Sequence, residues 1–232
     1  MKLVLDGVRL ERPYWSLSAD GVFGPGIHLV SGDVGSGKST LALLMAGLEK
    51  PGHGTVTREG IKTSLLSFQF PEFHVTGLTV AEECRSWGSG PEEIIRSAGI
   101  SVAPGAPALS LSRGELKRLH LACILCRDCD LLLLDEPFSS LDCPGKEEVC
   151  RQISARKNGI TVIFTHEQTT FPAVSRIWEI EENRLVDRGD VPGALSHWEH
   201  APEVIRRLVA SGRTPETITP EGIREAACRT RE

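Results

Sequence analysis

Short apolar runs at intervals along the chain predict a buried parallel sheet. The run Leu131–Leu134 lies between two aspartates, and the run from 160 to 165 follows a glycine. Continuous apolar runs of this length are typical of strands that are buried on both faces. Residues 27–30 form a third run, and an apolar helical stretch from 40 to 46, closed by Gly47, follows it. This order of strands and helices predicts an α/β fold.

The two ends of the chain carry other patterns. Residues 3–10 predict two short strand pieces around an Asp-Gly turn, and residues 13–26 are turn-rich, with a hairpin-like break at 19–21. We therefore expect an antiparallel edge sheet at the N-terminus. Residues 177–186 predict a last hairpin, and apolar residues at helical spacing after 201 predict a helical appendage.

Between residues 69 and 109 the pattern changes to short helical pieces, 80–87 and 91–98, separated by Gly- and Pro-rich stretches. A longer helix is predicted from 111 to about 127, because Ser112 and Glu115 fit a capping box. The chain is thus predicted to contain three parts: a core from 1–68 and 110–195, a helical subdomain from 69–109, and a C-terminal helical appendage from 196–232.

The composition excludes some classes of protein. The chain has 232 residues, of which 40% are apolar and 25% charged, and its net charge of −5 argues against a nucleic-acid partner. No apolar run approaches eighteen residues, so no membrane-spanning helix is predicted. No charged-then-apolar leader is visible, and we expect the chain to remain in the cytosol, with any membrane link made through a partner.

Cysteine usage is consistent with a reducing compartment. The seven cysteines are an odd number, and no structural disulfide is expected. Cys123, Cys126 and Cys129 have a spacing at which three thiolates could share a metal. They lie in an apolar helical stretch without an obvious fourth ligand, so we expect them to be small buried hydrophobes.

One glycine-rich segment matches the phosphate-binding pattern G-x-x-x-x-G-K-[ST] at every fixed position. Glycines let successive backbone N–H groups turn toward one anion, a lysine reaches the terminal phosphates, and a hydroxyl ligates Mg²⁺. The candidate nucleotide-binding residues of this segment are consecutive: Gly32, Asp33, Val34, Gly35, Ser36, Gly37, Lys38, Ser39 and Thr40.

Polar groups follow two of the predicted central strands. Asp135 and Glu136 come directly after one strand and His166 after another, and ligands of parallel sheets bind at this carboxyl edge. Upstream, Arg12 and Tyr14, the latter beside Trp15, are candidates to cover an adenine ring by stacking. The alternative for these side chains is simple packing at the edge of the sheet.

Five motifs in one order resemble the ATPase subunits of ABC transporters: the phosphate loop, Gln69, the signature Leu111–Glu115, the strand ending in Asp135 and Glu136, and His166 after Ser140–Asp142. Within that family, the segments 69–72 and 79–83 and the tail segments 201–203 and 219–221 are similar to the A components of energy-coupling-factor transporters, which include cobalt and nickel importers.

The resemblance implies a RecA-like P-loop NTPase core that binds ATP and Mg²⁺. It implies Ser39 and Asp135 as ligands of the metal, with Gln69 also in contact with it. It further implies Glu136 as the general base, His166 as the switch histidine beside the γ-phosphate, and Gln69 as the residue that passes the nucleotide state to the helical subdomain.

In such ATPases the signature of one subunit closes over the nucleotide held by another, so the resemblance implies a second ATPase subunit, equal or different. Ser112, Gly114 and Glu115 would then contact the nucleotide of the partner, and Asp142 would communicate across the dimer. The family signature is Leu-Ser-Gly-Gly-Gln. Arg113 here replaces a glycine. Its side chain would either crowd the composite site or add its own charge, and we expect that site to be slow.

The resemblance also implies two membrane partners, a transmembrane scaffold and a substrate-binding membrane subunit, and hence a position at the cytoplasmic face of the cell membrane. The function implied is ATP-driven uptake of a vitamin or a transition-metal ion. The alternative is a nucleotide-dependent regulatory or scaffold protein with little turnover, which Arg113 makes conceivable. A DNA-repair or translation ATPase of this family would need a coiled-coil insertion or two linked cassettes.

Overall fold

The computed structural model describes residues 1–228, so positions 229–232 of the predicted appendage lie outside the described residues. Nine strands form one sheet in the order β4-β1-β2-β9-β8-β3-β7-β6-β5. The strands are β1 Lys2–Arg12, β2 Trp15–Phe23, β3 Gly26–Ser31, β4 His53–Glu59, β5 Ser64–Ser67, β6 Leu131–Asp135, β7 Ile160–Phe164, β8 Arg176–Glu181 and β9 Arg184–Asp190.

Helices follow the strands of the α/β core and fill the segments between them. They are α1 Lys38–Ala46, α2 Val80–Ser86, α3 Pro91–Ser97, α4 Arg113–Leu125, α5 Cys143–Ser154, α6 Glu203–Ala210 and α7 Pro220–Cys228. Short 3₁₀ turns occupy 71–73, 108–110 and 193–196. None of the helices within residues 1–228 has both the length and the apolar content that crossing a bilayer requires.

The centre of the sheet is parallel, as the apolar runs predict. Strands β5, β6, β7, β3 and β8 run in one direction, whereas β4, β1 and β2 pair antiparallel at one side. The carboxyl ends of the central strands therefore meet at one edge.

Strand β6 is buried on both faces. Leu131 and Leu133 belong to the core cluster on the α1 side, while Leu132 and Leu134 belong to the cluster that contains residues of α4 and α5. All five residues of the strand are buried. This agrees with the interpretation of its uninterrupted apolar run, because successive side chains of a strand point to opposite faces.

The N-terminal strand corrects one expectation. Residues 2–12 form a single strand, not two pieces around a turn. Its pairing with β2 shifts register between Leu5 and Val8, and Gly7, with φ of +56°, lies within this bulge. The N–H of Gly7 donates to Oδ1 of Asp20 at 2.7 Å. The Asp-Gly pair thus accommodates one extra residue within a continuous strand.

The predicted break at residues 19–21 is also wrong, since β2 continues through it. A Cβ on Gly21 would lie 2.7 Å from a ring carbon of Trp178, so this glycine permits close packing of the indole. The Gly- and Thr-rich segment after Pro51 forms the edge strand β4, paired with β1. Residues that are typical of turns therefore lie here in a bulge, in an edge strand and at a close contact with a side chain.

The helix α4 belongs to two packing clusters. Leu119 and Cys123 pack with Val80 and Ile94 of the short helices, whereas Leu121 faces the sheet. This helix therefore connects the segment 69–109 to the sheet, and the predicted division into three parts stays a prediction.

The cysteines match the expectation only in part. All seven are free thiols, and Cys123 is fully buried as expected, but Cys126 is exposed and Cys129 is half-buried. Cys126 and Cys129 lie at and beyond the end of α4, where the apolar face of the helix no longer covers them.

Candidate nucleotide-binding site

The phosphate loop lies between β3 and α1 and depends on glycine backbone conformations. Gly32, Gly35 and Gly37 have φ values of +152°, +85° and +105°. A Cβ on Gly32 would lie 2.9 Å from Ser36 Oγ and 3.0 Å from the carbonyl oxygen of Ile180. Because other residues are strained in this conformation, the loop geometry requires these glycines. The loop leads into the N-terminus of α1, whose free N–H groups attract anions.

Lys38 is buried inside the loop. Its Nζ donates to the carbonyl oxygens of Gly32 at 2.8 Å and Asp33 at 2.9 Å. Burial lowers the pKa of Lys38, and the nearby carboxylates of Glu136 and Asp135 oppose that shift. The loop thus holds a cation next to the N-terminus of α1, an arrangement suited to a polyphosphate.

Asp135, the last residue of β6, has an oxygen that lacks a protein partner. Its side chain hydrogen-bonds Ser39, but Oδ1 is buried without a hydrogen-bond partner. Burial raises the pKa of Asp135, and the bond from Ser39 works against this shift. A buried carboxylate oxygen beside a hydroxyl is the type of hard-oxygen set that Mg²⁺ takes, so these residues fit the ion.

Glu136 is held by two hydrogen-bonding neighbours. Thr165 Oγ1 donates to its Oε2 at 2.9 Å, and the backbone N–H and Nδ1 of His166 donate to its Oε1 at 3.2 and 2.6 Å. The backbone of Glu136 has φ of +47°, a strained value for a non-glycine residue. Strain of this kind persists only where the surroundings fix it, and here it directs a buried carboxylate toward the phosphate loop.

A cavity of about 320 Å³ joins these groups. Nine of the predicted site residues line it, and so does Trp15. The nine are Val34, Gly35, Gly37, Lys38, Ser39, Thr40, Gln69, Glu136 and His166. The structure therefore brings together the phosphate loop, the carboxyl edge of the sheet and Gln69, which lies two residues after β5.

The chain resembles known proteins over most of its length. Residues 25–139 match the family model of ABC transporters. The energy-coupling factor transporter ATP-binding protein EcfA2 of Thermotoga maritima is 29% identical over 86% of this chain and 86% of its own length. The cytochrome c biogenesis ATP-binding export protein CcmA of Hyphomonas neptunium is 30% identical over 66% of this chain and 82% of its own length.

The chain belongs to the ABC transporter ATPases. It is therefore an ATP-binding, ATP-hydrolysing P-loop enzyme. The dimeric structure of a bacterial ABC transporter cassette matches the fold with a TM-score of 0.66 over 79% of this chain and 96% of that chain, at 19% identity. The α/β fold predicted from the sequence is thus confirmed as the ABC cassette fold.

In this ABC ATPase, the two predicted adenine contacts lie away from the cavity. Tyr14 is fully exposed, and Arg12 is ion-paired with Glu49. The ring of Trp15 instead lines the cavity, and a Cβ on Gly37 would lie 2.4 Å from it. The sequence indicated aromatic residues in this turn but could not distinguish which of them faces the phosphate loop, because their directions depend on where β2 begins.

The signature residues lie at the start of α4 and outside the cavity. Ser112 and Glu115 form the predicted capping box, with Ser112 Oγ donating to Glu115 Oε2 at 2.6 Å. These bonds from Ser112 lower the pKa of Glu115. A Cβ on Gly114 would lie 2.9 Å from the carbonyl oxygen of Ser140. Arg113 pairs with Glu72 at 3.3 Å, so its side chain turns toward the loop after Gln69.

Asp142 and Lys117 complete the surroundings of the site. Asp142 caps α5 by accepting from the N–H of Gly145 at 3.0 Å, and its predicted role across a dimer stays a prediction. Lys117, which the sequence interpretation missed, is buried and donates to the carbonyl oxygen of Gln69 at 2.9 Å. Burial lowers the pKa of Lys117 to about 8. The sequence gives no distinct signal for it, because Lys117 stands next to Arg118 in a helix that also contains Arg113 and Glu115.

Proposed function

We propose that this chain is the ATPase subunit of an importer of the energy-coupling-factor type, driving uptake of a vitamin or a transition-metal ion through membrane partners. The observation that carries the proposal is an apolar patch of four exposed side chains, Phe70, Phe73, Leu78 and Leu109, of which the first two closely follow Gln69. The similarity to EcfA2 supports the same assignment.

The phosphate loop would bind the triphosphate of ATP. Lys38 would exchange its two carbonyl acceptors for oxygens of the β and γ phosphates. Hydrogen bonds to charged acceptors are stronger than those to neutral ones. The backbone N–H groups of residues 33–39 would donate to the same phosphates. Trp15 would support the adenine ring, because its indole lies next to the loop and lines the same cavity.

Ser39 and Asp135 would hold Mg²⁺, through Asp135 Oδ1 either directly or by way of a water molecule. The ion would supply charge neutralisation at the phosphates. Gln69 lines the cavity on the side of β5 and would contact the bound nucleotide and metal from there.

Glu136 would act as the general base that takes a proton from the attacking water. A carboxylate that is fixed by Thr165 and His166 needs little reorganisation when it accepts this proton. His166 lines the same cavity, and because Nδ1 bonds Glu136, Nε2 is the ring nitrogen left to contact the γ-phosphate.

A second ATPase subunit, equal or different, would complete the site. The signature residues Ser112, Gly114 and Glu115 do not line the cavity of their own chain, which supports a role at the nucleotide of a partner. Asp142 would contact that partner across the dimer. The bacterial ABC transporter cassette that matches the fold is dimeric, and the same assembly is proposed here.

The apolar patch would bind the membrane-embedded scaffold, which holds the chain at the cytoplasmic face of the cell membrane together with a substrate-binding membrane subunit. Phe73 is 77% and Leu78 is 82% exposed, and Phe70 and Leu109 are also exposed. Large apolar groups clustered on the surface mark interaction sites. The rings of Phe70 and Phe73 lie 6.0 Å apart in the segment directly after Gln69, and the N–H of Ala108, next to Leu109, donates to the carbonyl oxygen of Leu78 at 3.0 Å. Docking and nucleotide sensing would therefore share the loop after Gln69.

The experiment is isolation of the complex from native membranes in mild detergent, followed by mass spectrometry of the proteins that co-purify. Recovery of a transmembrane scaffold and a small substrate-binding membrane protein supports the proposal, and recovery of neither contradicts it. The double variant Phe73→Ser, Leu78→Ser should lose these partners. The matched control Val22→Ser removes an exposed apolar group on β2, 52% exposed, and should retain them.

The alternative function is a regulatory or scaffold protein that binds ATP and hardly hydrolyses it. Arg113 favours it, because this side chain lies in the signature where a glycine lets the backbone approach phosphate. Turnover of the isolated complex separates the two functions. An ATP-bound complex with turnover no faster than that of a Glu136→Gln variant would favour the regulator.

A further inference from the structure

One face of α4 is polar and contacts the loop that carries Gln69. Arg113, Lys117 and His120 follow a spacing of i, i+4 and i+7, which places them on the same face of a helix. Arg113 pairs with Glu72, and His120 Nε2 is hydrogen-bonded to Ser67 Oγ at 3.2 Å. The helix that begins at the signature therefore contacts both ends of the loop.

Lys117 holds the middle of this loop. Its Nζ donates to the carbonyl oxygens of Gln69 at 2.9 Å and of Phe68 at 3.3 Å. The side chain is only 1% exposed, so solvent cannot readily replace these acceptors. A buried ammonium requires such partners, and its bonds to the main chain limit where the Gln69 backbone can move.

The loop is fixed from its other side by a stack of rings. His74 Nε2 accepts from the N–H of Phe68 at 2.8 Å. The ring of His74 stacks on Phe68 at 4.9 Å and on His120 at 4.2 Å between centroids. The N–H of Phe68 is thus held by His74, while its C=O is held by Lys117.

We propose that Lys117 is a positioning residue for ATP hydrolysis, which ties the helix of the signature to the backbone of Gln69 and so links the two ends of the composite site. This inference rests on the proposed role of Gln69 and on the proposed two-subunit assembly. In that assembly the signature serves the nucleotide of the partner and Gln69 serves the nucleotide of its own chain. Movement of α4 on closure would therefore reach Gln69 through Lys117.

The test compares Lys117→Met with Arg118→Met in the complex isolated from membranes. Methionine keeps the length of the buried side chain and removes its hydrogen-bond donors. Arg118 lies on the same helix and donates to a carbonyl outside this loop, that of Gly99, at 3.2 Å, which makes it a matched control. Steady-state ATPase kinetics and hydrogen exchange of residues 67–74 are measured for each variant.

Lys117→Met should lower kcat about 10- to 100-fold, because a small displacement of a positioned group is costly. Its KM for ATP should stay within about twofold, since the phosphate loop is untouched. Exchange of the amides in 67–74 should become about tenfold faster. Arg118→Met should change neither the exchange of this loop nor kcat, and Lys117→Gln, which retains an N–H donor, should recover most of the lost turnover.

Normal kcat and normal exchange in Lys117→Met would overturn the proposal. Equal losses in Lys117→Met and Lys117→Gln, with a lowered melting temperature, would reduce Lys117 to a structural residue and overturn it as well. Failure of the proposed function has different signatures: membrane partners would not be recovered, and if the role of Gln69 is wrong, Gln69→Ala would leave turnover unchanged. The exchange of residues 67–74, which can be measured on the chain itself, still decides whether Lys117 holds the loop.

Discussion

Replacement of Trp15 by alanine should weaken the binding of ATP without weakening the binding of phosphate alone. The indole touches the phosphate loop closely enough that a Cβ on Gly37 would lie 2.4 Å from its Cζ2. It also lines the cavity that contains Lys38 and Ser39. The other aromatic ring that lines this cavity within residues 1–228 is the imidazole of His166, which is bonded to Glu136, so Trp15 is the candidate to stack on the base.

The expected magnitude follows from stacking. Stacking of a base on an aromatic side chain contributes about 1–3 kcal/mol. Its loss should raise the Kd for ATP about 5- to 140-fold, since each 1.4 kcal/mol is a factor of about ten. The Kd for inorganic tripolyphosphate should stay within about twofold, because the contacts of Lys38 and the loop do not involve the indole.

Calorimetric titration of the chain with ATP and with tripolyphosphate is the direct assay. The indole is half-buried and packs against the main core cluster, so Trp15→Ala will also lower the melting temperature. The loss should be smaller than the roughly 3–5 kcal/mol typical of a fully buried tryptophan. Thermal unfolding beforehand defines a temperature at which each variant is folded.

Trp15→Phe, Tyr14→Ala and Arg12→Ala are the matched controls. Phenylalanine retains a ring and should keep most of the affinity for ATP. Tyr14→Ala and Arg12→Ala remove side chains that do not line the cavity, so these variants should bind ATP as tightly as the wild type does. The reasoning is refuted if Tyr14→Ala or Arg12→Ala weakens ATP more than Trp15→Ala, or if Trp15→Ala weakens both ligands equally.

Three further predictions concern two residues of the site and one buried carboxylate outside it. Glu136→Gln should abolish hydrolysis and trap an ATP-bound dimer, detected by size-exclusion chromatography; normal hydrolysis would refute its assignment as the base. Arg113→Gly should raise turnover if the side chain crowds the composite site, and its exposed pair with Glu72 should contribute only about 0.2–1 kcal/mol to stability. Unchanged or lower turnover in the complex would contradict crowding. Glu179 is buried, which alone would raise its pKa, but the N–H groups of residues 199 and 200, with His200 and Arg188, lower the net pKa. A lowered folded pKa gives stability that is present above the unfolded value of about 4.3 and is lost as pH falls through the folded value. Glu179→Gln should therefore lower the melting temperature at pH 7, and the difference from wild type should shrink below about pH 4.

The features that the sequence predicted well are those encoded by neighbouring residues. The phosphate loop depends on glycines within six positions of Lys38, and the cap of α4 depends on Ser112 and Glu115 alone. Strand β6 follows from four consecutive leucines, and its carboxyl end positions Glu136 at the cavity and Asp135 beside Ser39. Local patterns of this kind need no knowledge of the partner strands.

The features that it missed depend on residues far apart in the chain. Gly7 permits a bulge because Asp20 on the next strand binds its N–H, and Gly21 gives room to Trp178, more than 150 positions away. Lys117 serves the Gln69 loop only because the polar face of α4 meets that loop. In the sequence, a glycine at a close contact cannot be told from a glycine in a turn. A buried charged residue likewise cannot be told from one on a solvated surface.

Arg113 and Lys117 both contact the loop that carries Gln69. A change in the turnover of Arg113→Gly therefore has two candidate causes. In the proposed assembly, Arg113→Gly would remove bulk beside the nucleotide of the partner and would also release Glu72, three residues after the Gln69 backbone that Lys117 holds. Glu72→Gln separates these effects, because it breaks the ion pair and leaves the arginine in place. If crowding limits turnover, Arg113→Gly alone should be faster. If the pair restrains the loop, Glu72→Gln should raise turnover as much as Arg113→Gly, and the double variant should add nothing further, since both changes remove one interaction.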